Sequence, residues 1–400
     1  MREFDSIELT RESTAKIKVI GVGGAGGNTV NSIIEAGCDG VECVVVNTDA
    51  QALESSKAQT KIRLGARTAK GMGAGANPDA GKRAAEETIN EIMEHLEDAD
   101  IVFLTAGMGG GTGSGALPVI ARALKEREIL TIAVVTKPFD FEGKKRAAIA
   151  DQAIKQLKQD VDTLIVMPNQ NLLNGVDAST AMSDAFNLIN AVLGQSVKSI
   201  SEIITRPGHI NVDFADVRTI MKNRGLAIMG TARASGKDRA LEATLCAISS
   251  PLLESMNMKG SRSVLLNITG SKNLSLHEIS QAASVIYDQA DPDAQIILGS
   301  VIDESLGDDV QVTIIATGFE DAQQEIKVTG ATCDLQCVVD EVEVKPVAKP
   351  EPIVEKQPIA AVLSSFKKPL EMPMTELLVE GDELDAPTFM RAKIHEKEME

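Results

Sequence analysis

Two glycine clusters in this chain have the composition and setting for phosphate chemistry. The first, Gly21-Val22-Gly23-Gly24-Ala25-Gly26, follows the apolar run "KIKVIGV" and leads into a helical pattern. Glycines let a backbone turn tightly and approach phosphate oxygens, while the helix behind them presents free N–H groups and its positive end. Alone, this G-x-G-x-x-G pattern leaves a dinucleotide enzyme open, and Asp49 in "VVVNTDAQAL" is close to where an NAD site keeps its ribose-binding acid. The second cluster, "GGGTGSG" at residues 109–115, again lies between a strand pattern and a helical one. A dinucleotide fold normally uses one such loop; two, at the ends of different strands, can grip a chain of phosphates from both sides. Neither loop carries the Lys-Ser/Thr of a P-loop. Charge neutralisation therefore falls to backbone N–H groups, helix ends, a hydroxyl such as Thr112, and Mg²⁺.

A third glycine-rich stretch, "GMGAGANPDAG" at 71–81, ends at a helix start. Glu142 and Arg146 are four apart on a helical pattern, as a surface pair or as contacts to a ribose and phosphate. Asp213 and Asp216, in "HINVDFADVRTIM", follow the breaker Pro207-Gly208 and sit on a loop entering a helix, which they could simply cap. Asn190 lies in an otherwise apolar helical pattern, where an unbonded amide is costly. Phe186, one turn earlier, reads by itself as a core aromatic.

The elements that must hold these residues follow from hydrophobic periodicity. "KIKVIGV", "VECVVVN", "DIVFLTAG", "ILTIAVVT" and "DTLIVMPN" are near-continuous apolar strands separated by helical patterns, which predicts a Rossmann-like parallel sheet covered on both faces. A long helix is expected over about 178–205, with Phe186, Ile189, Val192, Val197 and Ile200 at helical spacing. Strand patterns "GLAIMGTARA", "SRSVLLNITG", "AQIILGSVI" and "DVQVTIIATG", with two helical patterns among them, predict a smaller mixed α/β domain packed on that helix. From about residue 338 the chain is rich in Pro, Glu and Lys, as expected of a disordered linker. The end, "ELDAPTFMRAKIHEKEME", regains Leu, Phe and Met, the pattern of a docking motif that orders on binding or of a tail remnant.

Composition narrows the classes. With 400 residues, 43% of them apolar, the chain has ample length for a buried core. No run approaches a bilayer span, and "MREFDSIELTREST" lacks the apolar core of a secretory signal, so a cytoplasmic protein without membrane insertion is expected. The five cysteines are scattered; Cys333 and Cys337 have no partner pair to complete a metal site and read as thiols. A net charge of −18 argues against a nucleic-acid surface and makes identical subunits repel, so self-assembly must be local and cation-dependent.

Taken together, "GVGGAGGN", "NTDAQAL", "GAGANP", "GGGTGSG", "TKPFDFEGKKR" and "NVDFADVRTIM" resemble, in order and spacing, the FtsZ family of bacterial cell-division proteins within the tubulin superfamily. The resemblance covers about residues 15–320 and, separately, the extreme C-terminus. It implies a GTPase that assembles head to tail into filaments of the cytokinetic ring, at mid-cell on the inner face of the membrane. It implies GTP/GDP contacts at Gly23, Gly24, Ala25, Gly26, Gly27 and Asn28, at Asn47 and Asp49, at Ala74 and Gly75, and at Gly110, Gly111, Thr112, Gly113 and Ser114. Glu142 and Arg146 then lie near the ribose and phosphates, Asn169 also contacts the nucleotide, and Phe186 and Asn190 address the base. Asp213 and Asp216, assisted by Asn211, are presented to the GTP of the next subunit, where a carboxylate holds and polarises the attacking water. The implied division is an extension at 1–15, a GTP-binding domain at 16–177, a central helix at 178–208, a C-terminal domain at 209–322, a linker at 323–382 and an adaptor-binding peptide at 383–400.

"LDAPTFMR" resembles the family's tail peptide, which docks membrane tethers and regulators, here through Leu384, Asp385, Pro387, Phe389 and Arg391. Ala386 stands where a larger aliphatic is usual, Met390 replaces a usual Leu, "AKIHEKEME" is appended, and Ser114 replaces a commoner Thr. The competing reading, a Rossmann-type NAD-dependent oxidoreductase, accounts only for the first loop and Asp49. It leaves "GGGTGSG" and "NVDFADV" without a role.

Overall fold

The computed structural model describes residues 15–319 except 39, 174–179, 207, 209 and 251–259. The expected N-terminal extension up to residue 14, Pro207, His209, Cys333, Cys337, the linker beyond 319 and the terminal peptide with Leu384 to Arg391 lie outside the described residues. The chain begins with strand β1 (Ile17–Val22), helix α1 (Gly23–Glu35), β2 (Val41–Asn47), α2 (Ala50–Glu54), β3 (Thr60–Arg63) and α3 (Pro78–Glu94). It continues through β4 (Ile101–Gly107), α4 (Thr112–Glu126), β5 (Leu130–Lys137), α5 (Lys144–Asp160), β6 (Thr163–Pro168) and α6 (Asn169–Leu173). The long α7 (Met182–Thr205) and short α8 (Phe214–Met221) lead to β7 (Gly225–Ala234), α9 (Arg239–Ile248), β8 (Ser263–Gly270), α10 (Leu276–Gln289), β9 (Gln295–Ile302) and β10 (Val310–Thr317).

All ten strands join one sheet in the order β3-β2-β1-β4-β5-β6-β7-β10-β8-β9. From β3 to β7 every neighbour pairs in parallel, and β10 is antiparallel to both β7 and β8. The expectation of a parallel sheet and of a mixed second set of strands is therefore met. The continuity between the two sets was not foreseen. It rests on a short parallel pairing of Thr163–Ile165 with Gly225–Ala227, which Asp162 reinforces by accepting backbone hydrogen bonds from Asn223, Arg224 and Gly225.

Alternation along β1 shows why these strands read as unbroken apolar runs. Ile17 and Val19 point into a core shared with α1 and α7, whereas Ile20 and Val22 point into one shared with α3 and α4. A third core lies between the C-terminal strands and helices α9 and α10. α7 buries Ile189, Leu193, Val197 and Ile200, a stripe at steps of four, four and three, and at 24 residues it is about 36 Å long. It starts at Met182 rather than 178. Among the described residues no helix is long and apolar enough to cross a membrane.

Candidate functional site

Both glycine clusters lie where a strand ends and a helix begins, on neighbouring strands. Gly21 of β1 is level with Thr105 of β4. Gly26 packs so closely that a Cβ there would sit 2.5 Å from the Thr105 carbonyl oxygen and 2.9 Å from the Gly21 carbonyl carbon. Gly23 takes φ +74°, a conformation open to glycine, and a Cβ on it would come 3.3 Å from the Gly113 nitrogen. The N-termini of α1 and α4 are thus side by side. Neither has a side-chain cap: Val22 and Gly111 occupy the cap positions without a capping hydrogen bond. Two sets of free N–H groups and two positive helix ends converge on one spot, an arrangement that suits an extended anion. Gly24 and Gly110 have nothing within 4 Å of a notional Cβ, so the space beside both loops is open. Ala25 and Asn28 are exposed on the first turns of α1, and Gly27 packs on Val45.

The third glycine-rich stretch supports the second loop from behind. A Cβ on Gly111 would lie 2.8 Å from the Ala74 Cβ and 2.9 Å from the Asn77 nitrogen, and Gly81 and Gly115 pack against the backbones of Gly111 and Pro78. Gly75 and Ala76 both have positive φ there. Asn77 caps α3 by accepting from Asp79 N–H at 3.0 Å, with Pro78 at the first helical position. Asn47 is buried, and its Oδ1 accepts from Asp49 N–H at 3.2 Å. Asp49 uses Oδ1 to cap α2, accepting from the N–H groups of Gln51 and Ala52. Ser114 is buried and its Oγ accepts from Gly109 N–H at 2.8 Å, which closes the loop on itself. Thr48 was missed in the sequence. It is fully buried, and its hydroxyl meets that of Thr112 at 2.7 Å. Its place between Asn47 and Asp49, on the same strand end, was the available signal.

The two amides and the ring come from the start of α6 and from α7. Asn169, the first residue of α6, is buried, and its Oδ1 has no hydrogen-bond partner among the described residues. Asn190 on α7 is also buried, and no hydrogen bond to its amide is found among the described residues. Two buried amides with unused capacity fit a ligand that carries donors and acceptors on its edge. Phe186 is half-buried and meets Phe139 edge to face at 5.6 Å, while Phe139 stacks on the exposed Phe141 at 4.9 Å. Glu142 pairs with Arg146 and also accepts from Phe139 N–H at 2.9 Å, so the surface-pair arrangement is the one present.

The acidic loop is elsewhere. α7 runs away from Asn190 until Thr205 packs beside Gly40, at the start of β2. The end of α8 is tied to the start of β6 by Thr163 Oγ1–H donating to the Met221 carbonyl at 2.5 Å. The end of α7 and the end of α8 therefore lie where β2 and β6 start, whereas the glycine loops lie where β1 and β4 end. Asn190 to Thr205 alone spans about 22 Å of helix. Asp213 and Asp216 are exposed. Asp213 caps α8, accepting from Asp216 N–H at 2.8 Å, so the structural reading of this residue is realised. Asp216 makes no side-chain hydrogen bond or ion pair among the described residues. Asn211 Oδ1 accepts from Gly208 N–H at 2.7 Å, and Ile210 bridges to Ser300 of β9.

Comparison with known proteins agrees with this geometry. Residues 16–177 match the model of the tubulin/FtsZ family GTPase domain, and residues 225–320 match the model of the FtsZ family C-terminal domain. The chain is 49% identical over 350 residues to the cell division protein FtsZ of Caulobacter vibrioides, covering 87% of this chain and 69% of that one. It is 47% identical over 352 residues to cell division protein FtsZ 1 of Rhizobium meliloti, of which it covers 59%. Its fold superposes with TM-score 0.74 on an empty FtsZ dimer of M. jannaschii, 42% identical, over 77% of this chain and 89% of that one. It also superposes with TM-score 0.65 on CetZ2 of Haloferax volcanii, over 77% of this chain and 94% of that one; at 22% identity this likeness bears on the fold alone. Fold and two-loop cradle together define a tubulin-like GTPase. Within that class, the chain belongs to the FtsZ family. The oxidoreductase alternative falls: the second loop is an integral jaw of the cradle, and the acid that suggested NAD caps a helix.

Proposed function

We propose that this GTPase is a cell-division protein that polymerises head to tail and hydrolyses GTP at the junction between successive copies. One observation carries the reading: the phosphate cradle and the free acid Asp216 lie at opposite ends of the same sheet. A molecule with binding loops at one end and a carboxylate at the other completes its chemistry only by stacking, and a heterologous contact of that kind propagates as a filament. Phosphates rest on the N-termini of α1 and α4, with Gly23 to Asn28 on one side and Gly110 to Gly113 on the other. Asn169 and Asn190 hydrogen-bond the base edge, Phe186 packs on the ring, and Glu142 and Arg146 exchange part of their mutual pairing for ribose and phosphate.

Asp216 of the next copy holds a water against the γ-phosphate and accepts its proton as the oxygen bonds to phosphorus and the bond from that phosphorus to the β,γ-bridging oxygen breaks, so that GDP leaves and phosphate is formed. Asp213, with one oxygen on the helix cap, fixes the loop and places its second oxygen nearby, and Asn211 keeps its NH₂ for the same water. Among the described residues no group of three or more His, Cys, Asp or Glu could hold a metal unaided. Mg²⁺, which neutralises phosphate charge when bound, would therefore take its ligands largely from the phosphates and water. The division into a GTP-binding domain (16–177), central helix (178–208) and C-terminal domain (209–322), and the docking of a membrane tether on Leu384, Asp385, Pro387, Phe389 and Arg391, belong to the same proposal. So does its place in the division ring, in the cytoplasm at the inner face of the membrane. Light scattering tests it: assembly with GTP or a slowly hydrolysed analogue, and none with GDP, is expected. Assembly indifferent to the nucleotide would refute it.

A further inference from the structure

Thr48 and Thr112 bring two hydroxyls within 2.7 Å of each other. Thr48, in the turn between β2 and α2, is 0% exposed, while Thr112 opens to solvent at the N-terminus of α4. Two hydroxyls carry two protons, and the bond between them uses one. Neither hydroxyl has a second hydrogen-bond partner among the described residues. The arrangement that wastes least is decided by burial. If Thr112 donated, the Thr48 proton would be left unbonded in the interior, at a desolvation cost. If Thr48 donates, the remaining proton belongs to Thr112 and points outward, where Gly24 and Gly110 leave open space.

We infer that Thr48 is a positioning residue for the GTP reaction: it donates to Thr112 Oγ1 and so sets Thr112 as a hydroxyl donor facing the phosphates. This deepens the proposed function and rests on the reading that the paired loops hold phosphate. Without the buried donor, the Thr112 hydroxyl still donates to an anion, but it must be ordered on binding and loses the polarisation that the Thr48 bond supplies. The cradle lacks a lysine, so the orientation of a single O–H matters more here than in a P-loop.

A double-mutant cycle on the full-length chain, read as GTP affinity below the assembly threshold, tests the inference. Thr48→Val keeps the shape but removes the proton, and is expected to weaken GTP binding by about tenfold, on the scale of a hydrogen bond to a charged acceptor. Thr48→Ser, which keeps the donor, is expected to stay near the parent. In a Thr112→Val background the Thr48→Val change should add no further loss. Thr48→Ala repeats the cycle should the valine variant not fold. Parental affinity of Thr48→Val, or a loss that persists undiminished in the Thr112→Val background, overturns the inference alone. Undiminished GTP binding by Thr112→Val overturns it together with the cradle on which it rests.

Discussion

Gly23 and Gly113 bring the starts of α1 and α4 together so closely that a Cβ on the first would lie 3.3 Å from the nitrogen of the second. The cradle is thus a contact between two backbones, and its glycines divide by what surrounds them. Gly26→Ala drives a methyl into the Thr105 carbonyl and the Gly21 backbone. It should cost about 1–3 kcal/mol of stability as overpacking and lose GTP binding as α1 shifts. Gly24→Ala meets nothing within 4 Å. It should leave stability within about 0.5 kcal/mol and still weaken GTP binding, because its methyl enters the space a phosphate needs. Denaturant melts and nucleotide titrations on the two variants check the contrast; equal effects on both quantities would contradict it.

At the opposite end of β1, the buried ammonium of Lys18 is paired with Asp98 and Glu42 and donates to the His95 carbonyl at 2.8 Å. Burial pulls its pKa down, but the hydrogen bonds to Asp98 and Glu42 outweigh that and raise it above 10.5. Asp98 is held from 3.8 to about 2 by hydrogen bonds from Lys18 and then Lys16. A carboxyl whose folded pKa lies below its unfolded one stabilises fully above the unfolded value, and that stability is lost as pH falls through the folded one. The Asp98 contribution should therefore be intact above about pH 4 and vanish toward pH 2, while that of Lys18 fades only as pH rises above 10.5. Asp98→Asn should lower the melting temperature at neutral pH, and the gap from the parent should close between pH 4 and 2. A gap that stays constant across that range would show that the ion pair contributes nothing.

Much of this was legible in the sequence because the informative residues are glycines and apolar runs. Strands buried on both faces read directly, as "DIVFLTAG" does for β4, and a glycine cluster between strand and helix fixes the local backbone. What did not read was pairwise. Nothing in "VVVNTDAQAL" shows that Thr48 meets Thr112, because strand order in the sheet, not sequence distance, makes them neighbours. The joining of β6 to β7 was hidden for the same reason, since only three residues on each strand carry the pairing. Asp49 and Ser114 have the residue types of ligand contacts, yet their oxygens serve neighbouring N–H groups. A polar side chain at a turn always has that local competitor.

The separation of cradle and acid has a kinetic consequence. If one copy cannot reach its own γ-phosphate with Asp216, turnover needs a second copy, and turnover per subunit should rise steeply once concentration passes the assembly threshold. Phosphate release measured across a dilution series checks this. Specific activity that stays constant on dilution would place the whole active site within one chain.

The two acids should separate under substitution, because only one is engaged within the fold. Asp213 accepts from Asp216 N–H and holds the start of α8. Asp213→Ala should cost about 1 kcal/mol as a lost helix cap, and Asp213→Asn should recover most of that stability. Asp216 sits exposed in the first turn with no side-chain partner among the described residues, so Asp216→Ala should leave the melting temperature near the parent's. The same variant should bind GTP normally, lose at least about a hundredfold in turnover as a positioned general base is removed, and give long-lived filaments. Filament lifetime and phosphate release, measured on one preparation, decide the matter. Loss of GTP binding in Asp216→Ala would mean that the residue serves the nucleotide pocket of its own chain, and the shared active site would have to be abandoned.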